Sequence, residues 1–584
     1  MKLASLVQAG WSGTAQTPLN ELDIGLARLL QSLQPSDDQR HLWLAALTSH
    51  QWGRGHACFE VPSSLGDAAD VLDWPTQALQ ALPTDLWQAL PSLPWVQGDA
   101  SPLVRDGQRL YLRRAWAAEQ SIRQCLQQLQ LQTCQAPADL ETALNALFGN
   151  AQSDDSQRRA CAHAATHALT LITGGPGTGK TSTVVKLLLL LNASSPRPLQ
   201  TLLTAPTGKA AARLAQAMAQ ARSNGPADQG HCLPTEAHTL HKLLQSNHQN
   251  AAPQLQADVV VVDEASMIDL GLMARLLQAL PPQARLVLLG DKDQLASVEA
   301  GAVMAQLCQA PWLAANTITL HHSHRFDASK GIGLWAQAAN AGNTDALMSL
   351  WQAAPEGCWP GDQIVSRLTG RQSHDKHTLQ QIRAAWSGWL ALLAPHQQGA
   401  PASDAQALAL LSGFAQIGVL CALREGPWGV HAFNTQIQKA LGFADAPWFV
   451  GRPVMARRND YSLGLMNGDI GLCLPTGVGK SQRLRVAFAD GKSGVKWQVP
   501  SRLGAVDTVF AMTVHQSQGS EFEQVLLVLP DTPNPLLTRE LVYTGMTRAR
   551  QQLCIWASEP DLLAQACGRT VRRSGGLTVA KSGA

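Results

Sequence analysis

Between about residues 157 and 330, short runs of consecutive apolar residues recur between stretches of helical period: LTLITG, TLLTAP, DVVVVDEA, ARLVLLGD and NTITLHHSHR. Apolar runs without alternation predict strands covered on both faces, the pattern of a parallel sheet flanked by helices. Up to about residue 145 the period is helical, as in LDIGLARLLQSL and SIRQCLQQLQLQ, with proline-rich breaks such as LPTDLWQALPSLPW. The region 340–415 is helical again, with polar linkers including HQQGAPASDAQ, and strand signals return in IGVLCALREGPWGVHAFN, RPVMARRN, DTVFAMTVHQSQGSEFEQVLLVLP and QLCIWAS. From about 450 to 505 the spacing shortens to hairpin scale, with turns at NGD, TGVGK and ADGKSG, which predicts a small all-β insertion. The tail GRTVRRSGGLTVAKSGA is basic and Gly-rich and is expected to be loosely ordered.

A chain of 584 residues exceeds what one hydrophobic core supports, so several domains are expected. No apolar run approaches the roughly 18 residues of a membrane span, and MKLASLVQAGWSG is too short in its apolar part for a signal peptide. The expectation is a cytoplasmic protein with no membrane contact. Eleven Cys without a C-x-x-C pair argue against a zinc ribbon or thioredoxin-type site and for reduced, packed thiols. Lys+Arg 45 against Asp+Glu 43 leaves a net charge of +2, so any nucleic-acid contact must be local rather than a global basic footprint. The 17 Trp suggest no role by their positions alone.

GGPGTGKTST supplies the chemistry. Gly174, Gly179, Lys180 and Thr181 satisfy G-x-x-x-x-G-K-[ST], after a strand and before the helix TSTVVKLLLLL. Glycines there let backbone N–H groups face phosphate, the helix start adds its positive dipole end, Lys180 reaches the β/γ-phosphates and Thr181 holds Mg²⁺. A near-copy, LPTGVGKS from Leu474 to Ser481, has Leu474 at the first required Gly and no following helix, so it reads as a β-turn. Asp263 and Glu264 end the strand DVVVV, where one acid can hold a metal and the other polarise the attacking water. Gln294 in GDKDQL is placed to sense the γ-phosphate. TAPTGKAAARL puts Thr207, Gly208 and Lys209 at a strand-to-helix turn, an anion site suited to a nucleic-acid phosphate. MTVHQSQGSEF is a polar run just after a strand, and YTGMTRAR supplies Arg548 and Arg550, of which one from a second domain could stabilise transition-state charge.

In order and spacing, GGPGTGKTS, TAPTGKAAARL, VVVDEASMID, LLGDKDQL, HSHRF, MTVHQSQGSEF and LVYTGMTRAR resemble the motifs of superfamily 1 helicases, specifically the 5′→3′ branch, over residues 157–550. LTSHQWGRGHACF, LYLRRAWAAEQ, LCALREGPWGV and RRNDYSLGLMNGDIG extend the likeness to the alpha-subunit family of exodeoxyribonuclease V. The resemblance implies an α/β fold with two RecA-like motor domains and ATP between them. It divides the chain into a helical N-terminal domain (1–145), a first motor domain (146–335), a second (336–449 and 506–584) and an SH3-like β insertion (450–505). Gln157 would read the adenine, and Gly174, Gly175, Pro176, Gly177, Thr178, Gly179, Lys180, Thr181 and Ser182 would cradle the triphosphate. Thr181 and Asp263 would hold Mg²⁺, with Glu264 as catalytic base, while Gln294, Arg325 and Arg548 would surround the γ-phosphate. Thr207 and Lys209, with Thr513 and His515, would grip single-stranded DNA, and Gly519 and Glu521 would couple those grips to the nucleotide. The implied activity is ATP-dependent 5′→3′ unwinding at duplex ends, in double-strand break repair by recombination and in degradation of linear duplex DNA. The implied partners are the beta and gamma subunits, with cutting left to the beta subunit and docking to the gamma subunit left to residues 1–145.

Rival readings meet specific obstacles. A stand-alone helicase of the same branch would carry Gly-paired helix-hairpin-helix segments before residue 145, and none is legible. A relaxase-helicase would need a metal-binding His cluster with a nucleophilic Tyr in an N-terminal domain, and none of the three Tyr, at 111, 461 and 543, is so placed. A nucleotide-binding scaffold without motor activity would have no use for the acids, Gln294 and Arg548. His321, His322 and His324, alternating along an expected strand without an acidic partner, read poorly as a metal site, and His238 with His241 are expected on one helical face.

Overall fold

The computed structural model describes residues 4–5, 18–134, 139–149, 155–193, 195–224, 232–244, 254–323, 325–327, 329–359, 361–370, 375–460, 462–490 and 494–579. His324 and Tyr461 fall outside them. Among the described residues no helix is long and apolar enough to cross a membrane.

The apolar runs of the first half form one six-stranded parallel sheet, ordered His238–Thr239, Thr201–Ala205, Val259–Val262, Arg285–Gly290, Leu169–Gly174, Thr317–Leu320. Alternation within each run sends neighbouring side chains to opposite faces. Leu169, Leu171, Val260, Val262, Leu286 and Leu288 pack into one core, and Ile172, Val259, Val261, Val287 and Leu289 into the other. The second face is covered by Ser156–Thr166, Lys180–Ala193 and Gly208–Asn224, the first by Leu270–Ala279 and Val303–Gln309. Helix Arg113–Leu131 covers that first face too: Ala115, Ile122, Leu126 and Leu129 share its core, so this packing unit reaches back beyond the expected limit at 146.

A second parallel sheet runs Val365–Leu368, Ala549–Trp556, Phe522–Val528, Ile417–Cys421, Ala511–Thr513. Its two faces carry Leu420, Val525, Leu527 and Ile555 on one side and Val419, Leu526, Val528 and Trp556 on the other. The edge strand Val365–Leu368 lies in text expected to be wholly helical. Much of the tryptophan content fills this half: Trp386 stacks on Phe414 at 5.8 Å, and Trp428 meets Trp556 edge-on at 5.2 Å. The hairpin-scale text forms a five-stranded antiparallel sheet, ordered Val495–Gln498, Arg483–Ala489, Ile470–Thr476, Pro453–Ala456, Val506–Thr508, whose last strand lies just past 505. Gly479–Ser481 is a single turn in the connection between two of its strands.

The N-terminal part is mainly helical, but Phe59–Glu60, Leu103–Asp106 and Arg109–Leu112 add a small antiparallel sheet to it. Its hairpin pairs Asp106 with Arg109 across Gly107 and Gln108, and Gly107 takes φ +63°, a left-handed conformation that glycine adopts without a Cβ penalty.

The tail differs most from expectation. Beyond the last helix, Pro560–Gly568, it runs bound across the molecule. Ala57 N–H donates to Ser574 O (2.8 Å) and Ser574 N–H to His56 Nδ1 (3.0 Å). Gly576 N–H donates to both carboxylate oxygens of buried Glu119 (2.9 Å each), and Gly576 O accepts from Arg123 Nη2 (2.6 Å). Leu577 is fully buried in the first sheet's core, and its carbonyl accepts from Trp312 Nε1 (2.9 Å). A buried carboxylate demands donors and the Gly-Gly backbone supplies them, because side chains there would collide with Glu119 and Tyr111.

Candidate nucleotide cleft and nucleic-acid interface

Strand Leu169–Gly174 delivers the Gly-rich loop to the carboxyl edge of the first sheet, and the helix from Lys180 starts at once. Ligand sites of open parallel sheets form at this edge. Gly177 (φ +77°) and Gly179 (φ +82°) are left-handed, which lets the loop curl on itself. Lys180 Nζ turns into that curl and donates to Gly174 O (2.6 Å) and Gly175 O (3.0 Å). Thr178 Oγ1 and Ser182 Oγ donate to Gly175 O and Gly179 O (2.8 Å each), Pro176 O accepts from Ser323 Oγ (3.1 Å), and Thr181 sits half-buried in the first helical turn. Gln157 is buried beside the loop and donates through Nε2 to Thr178 O (3.1 Å).

Asp263 follows strand Val259–Val262 and accepts the Glu264 N–H (2.9 Å). Burial, reinforced by the Glu264 charge and opposed by Lys180, pushes the Asp263 carboxyl up to about 6. Glu264 takes φ +52°, a left-handed conformation that costs a non-glycine residue about 1–3 kcal/mol.

From the second sheet's side, helix Arg539–Met546 and the turn after it close on the loop Asp291–Leu295. Arg548 Nη2 donates to Gln294 Oε1 (2.7 Å), Gln294 Nε2 to Asp291 Oδ2 (2.9 Å), and Tyr543 Oη to the same Asp291 oxygen (3.2 Å). Leu295 N–H donates to Thr544 Oγ1 (3.0 Å), and Leu295 O accepts from Gln518 Nε2 (2.8 Å). Arg548 is buried; desolvation lowers its pKa, while the charges of Glu264, Glu521 and Asp291 oppose that.

Arg325 lies against Gly177, but its guanidinium turns to Glu521 (2.8 Å). Glu521 also pairs with Arg213 (2.6 Å) and Arg550 (3.0 Å). Burial alone would push the Glu521 carboxyl up, but the arginines, led by Arg213 and Arg325, outweigh it and hold the group at about 2. Arg325 must therefore leave this carboxylate before it can meet a phosphate.

Of the four expected DNA contacts, Thr207 and Lys209 meet the other half at Gly519 and Ser520, whereas Thr513 and His515 are not hydrogen-bonded to them among the described residues. Thr207 Oγ1 accepts from Ala210 N–H (3.3 Å) at the start of helix Gly208–Asn224. Lys209 Nζ reaches Ser520 Oγ (3.2 Å), and its enclosure brings its pKa down to about 8 against the pull of Asp469. Gly519, left-handed at φ +73°, accepts through its carbonyl from Arg213 Nη1 (3.1 Å). Thr513 and Gln516 bond each other, with Gln516 N–H on Thr513 Oγ1 (3.1 Å), and burial lowers the pKa of His515. Met466 of the β insertion crowds Gly208.

Two readings change. His238 lies in a short strand and His241 in helix Leu240–Leu244, so they do not share a helical face. Strand Thr317–Leu320 ends before His321, so His321 and His322 lie in the loop beyond it. The roles of Tyr543, Arg213, Ser520 and Met466 had no signal of their own, because each acts through a partner from the other half of the chain.

Comparisons with known proteins agree with this geometry. Residues 15–111 match the model described as RecBCD enzyme subunit RecD, N-terminal domain; 157–300 match an AAA domain; and 508–556 match a UvrD-like helicase C-terminal domain. A Mycobacterium tuberculosis protein named RecBCD enzyme subunit RecD is 37% identical over 578 residues, covering 95% of this chain and 94% of that protein. A Haemophilus influenzae protein of the same name is 32% identical over 636 residues, covering 96% and 97%. The ATP-dependent RecD2 DNA helicase of Deinococcus radiodurans is 32% identical over 400 residues, covering 66% of this chain and 46% of that protein.

Proposed function

The chain belongs to the RecBCD enzyme subunit RecD family, and from that premise we propose how its two sheets turn ATP hydrolysis into movement along DNA. It is an ATP-dependent DNA helicase of the RecBCD helicase-nuclease, acting in recombinational repair. The likeness runs through the N-terminal part as well as the motor, whereas the stand-alone RecD2 helicase matches over a smaller share, which favours the subunit reading.

One observation supports the mechanism: a pair assigned to the nucleotide and a pair assigned to DNA both span the two halves of the chain. Arg548 meets Gln294 on the nucleotide side, and Lys209 meets Ser520 on the DNA side. A change in separation at one is transmitted to the other through Glu521, Gly519 and Arg213. In our reading ATP binds the loop 174–182, draws Lys180 off the carbonyls of Gly174 and Gly175, and recruits Arg325 from Glu521. Glu264 takes the proton of the attacking water, and Arg548 and Gln294 stabilise charge on the transferred phosphoryl group. Closing and reopening shift the grip between Thr207 with Lys209 and Thr513 with His515, moving single-stranded DNA through backbone contacts. Thr181 and Asp263 fit Mg²⁺: a hydroxyl in the first helical turn and a carboxylate at a strand end are the oxygen donors that ion takes. Mg²⁺ there would neutralise charge on the β- and γ-phosphate oxygens.

Strand displacement on duplexes with either a 5′ or a 3′ single-stranded tail, with and without RecB and RecC, tests this. Unwinding that requires the 5′ tail is expected. Equal unwinding from the 3′ tail by the isolated chain would overturn the direction.

We further assign docking of RecC to the N-terminal part. On helix Glu21–Leu33, Leu22, Leu29 and Leu33 lie on one face and are exposed by 80%, 53% and 71%. Such an apolar stripe beside a buried core is what a protein partner covers. Replacing all three by Asp should cut co-purification with RecC by at least about tenfold while leaving the melting temperature in place, since each retained contact of this size is worth about 1 kcal/mol or more. Full recovery of the trimer would remove this surface from consideration.

A further inference from the structure

The interface contains a hydroxyl that the mechanism above leaves unused. Tyr543 is 6% exposed and projects from the second motor half, and among the described residues its hydroxyl bonds only Asp291 of the first. Its Oη donates to Asp291 Oδ2 at 3.2 Å and stands where a Cβ on Gly175 would come within 2.9 Å of it. Asp291 is buried too, and its second oxygen accepts the Asp293 N–H (3.1 Å). The bonds form a closed circuit: Tyr543 to Asp291, Asp291 to Gln294, Gln294 to Arg548, and Arg548 back to Tyr543 along five residues of chain.

The circuit has a directional consequence. An amide is asymmetric, and Gln294 can offer an N–H into the cleft only while its oxygen faces Arg548 and its nitrogen faces Asp291. One N–H is then spent on Asp291, and the other bonds nothing among the described residues. Asp291 holds that orientation only if its carboxylate is itself fixed, and Tyr543 supplies the donor that fixes it from across the interface.

We propose that Tyr543 is a positioning residue for ATP hydrolysis, acting through Asp291 to hold the Gln294 amide and Arg548 in register with the γ-phosphate when the two halves close. It acts only when the halves are together, so it ties hydrolysis to closure. Simple interdomain packing would need only the ring, and the ring survives in phenylalanine. This inference rests on the motor reading, and wild-type hydrolysis on single-stranded DNA is the control that separates failure of the two.

The test is steady-state ATP hydrolysis on saturating single-stranded DNA by the full chain in its RecBCD complex, each variant measured against a Lys180→Ala chain to subtract hydrolysis by the other subunits. Tyr543→Phe should lower kcat by about 10- to 100-fold, the range for losing an outer positioning hydrogen bond, with KM for ATP changed by less than about threefold. Added to Gln294→Ala, it should lower kcat no further, because both act through one amide. Unchanged kcat in Tyr543→Phe overturns the proposal. A rise in KM alone makes Tyr543 a nucleotide contact, and a full extra loss on the Gln294→Ala background makes it independent of Gln294; either result also overturns it. A lowered melting temperature with equal losses in nucleotide binding and kcat assigns it to packing, which again overturns it. Absence of any Lys180-dependent hydrolysis in the wild type refutes the motor reading and the inference with it.

Discussion

Lys180→Ala is expected to lower DNA-stimulated ATP hydrolysis by about two to three orders of magnitude, the scale seen when one preorganised electrostatic contact to a transition state is removed. The fold should survive. Lys180 contributes no apolar core contact, its ammonium bonds only loop carbonyls, and that of Gly175 also accepts from Thr178. The melting temperature should therefore move little, and single-stranded DNA should still bind through Thr207, Lys209, Thr513 and His515. Hydrolysis at the wild-type rate would refute the assignment of the cleft. Loss of hydrolysis together with loss of DNA binding and of the melting transition would show only that the chain no longer folds, and Lys180→Arg, which keeps the charge, then becomes the informative variant.

The second large effect concerns Arg548. Alanine there would remove a buried cation that offsets the charges of Glu264, Glu521 and Asp291, of which Glu521 keeps its three other arginines, so it would lose stability as well as activity. Arg548→Lys retains the charge but loses the planar fork that reaches Gln294 Oε1, Thr544 O and Ser520 O together. It is expected to lower kcat by about 10²- to 10³-fold while KM for ATP changes by less than about threefold, measured by DNA-stimulated hydrolysis over a range of ATP concentrations. A large rise in KM with kcat intact would mean that Arg548 binds the ground state and does not act on the transition state.

The cradle was legible because its letters are local. Gly174, Gly179, Lys180 and Thr181 lie within eight residues, and strand and helix on either side follow from apolar period alone. The five main strands of the first sheet were legible for the same reason, each being a run too apolar to face water. Short or distant features were harder. Val365–Leu368 is four residues long at a sheet edge, below what alternation can separate from a helical stretch. The hairpin across Gly107 and Gln108 did carry its signal, a glycine opening a two-residue turn between LV and LYL, but the helical period on either side masked it. Arg325 looked like a phosphate contact because its motif said so; that it rests on Glu521, with Arg213 and Arg550 beside it, depends on chain segments more than a hundred residues apart. Tyr543 stood in a quoted motif without a role, since its partner Asp291 belongs to the other half.

The tail misled for a related reason. Its glycines and arginines look solvated because the groups that bind them are far upstream, and this sets an order on synthesis. Glu119 leaves the ribosome 457 residues before Gly576, whose N–H completes its surroundings. Until then the Glu119 carboxylate lacks its Gly576 donor and the slot for Leu577 is unfilled. The first motor half can gather its sheet early, but its outer face closes only when Ser574–Leu577 arrives. A nascent chain is thus kept unfinished at the face that joins its N-terminal part to its motor until the second motor half has also been made.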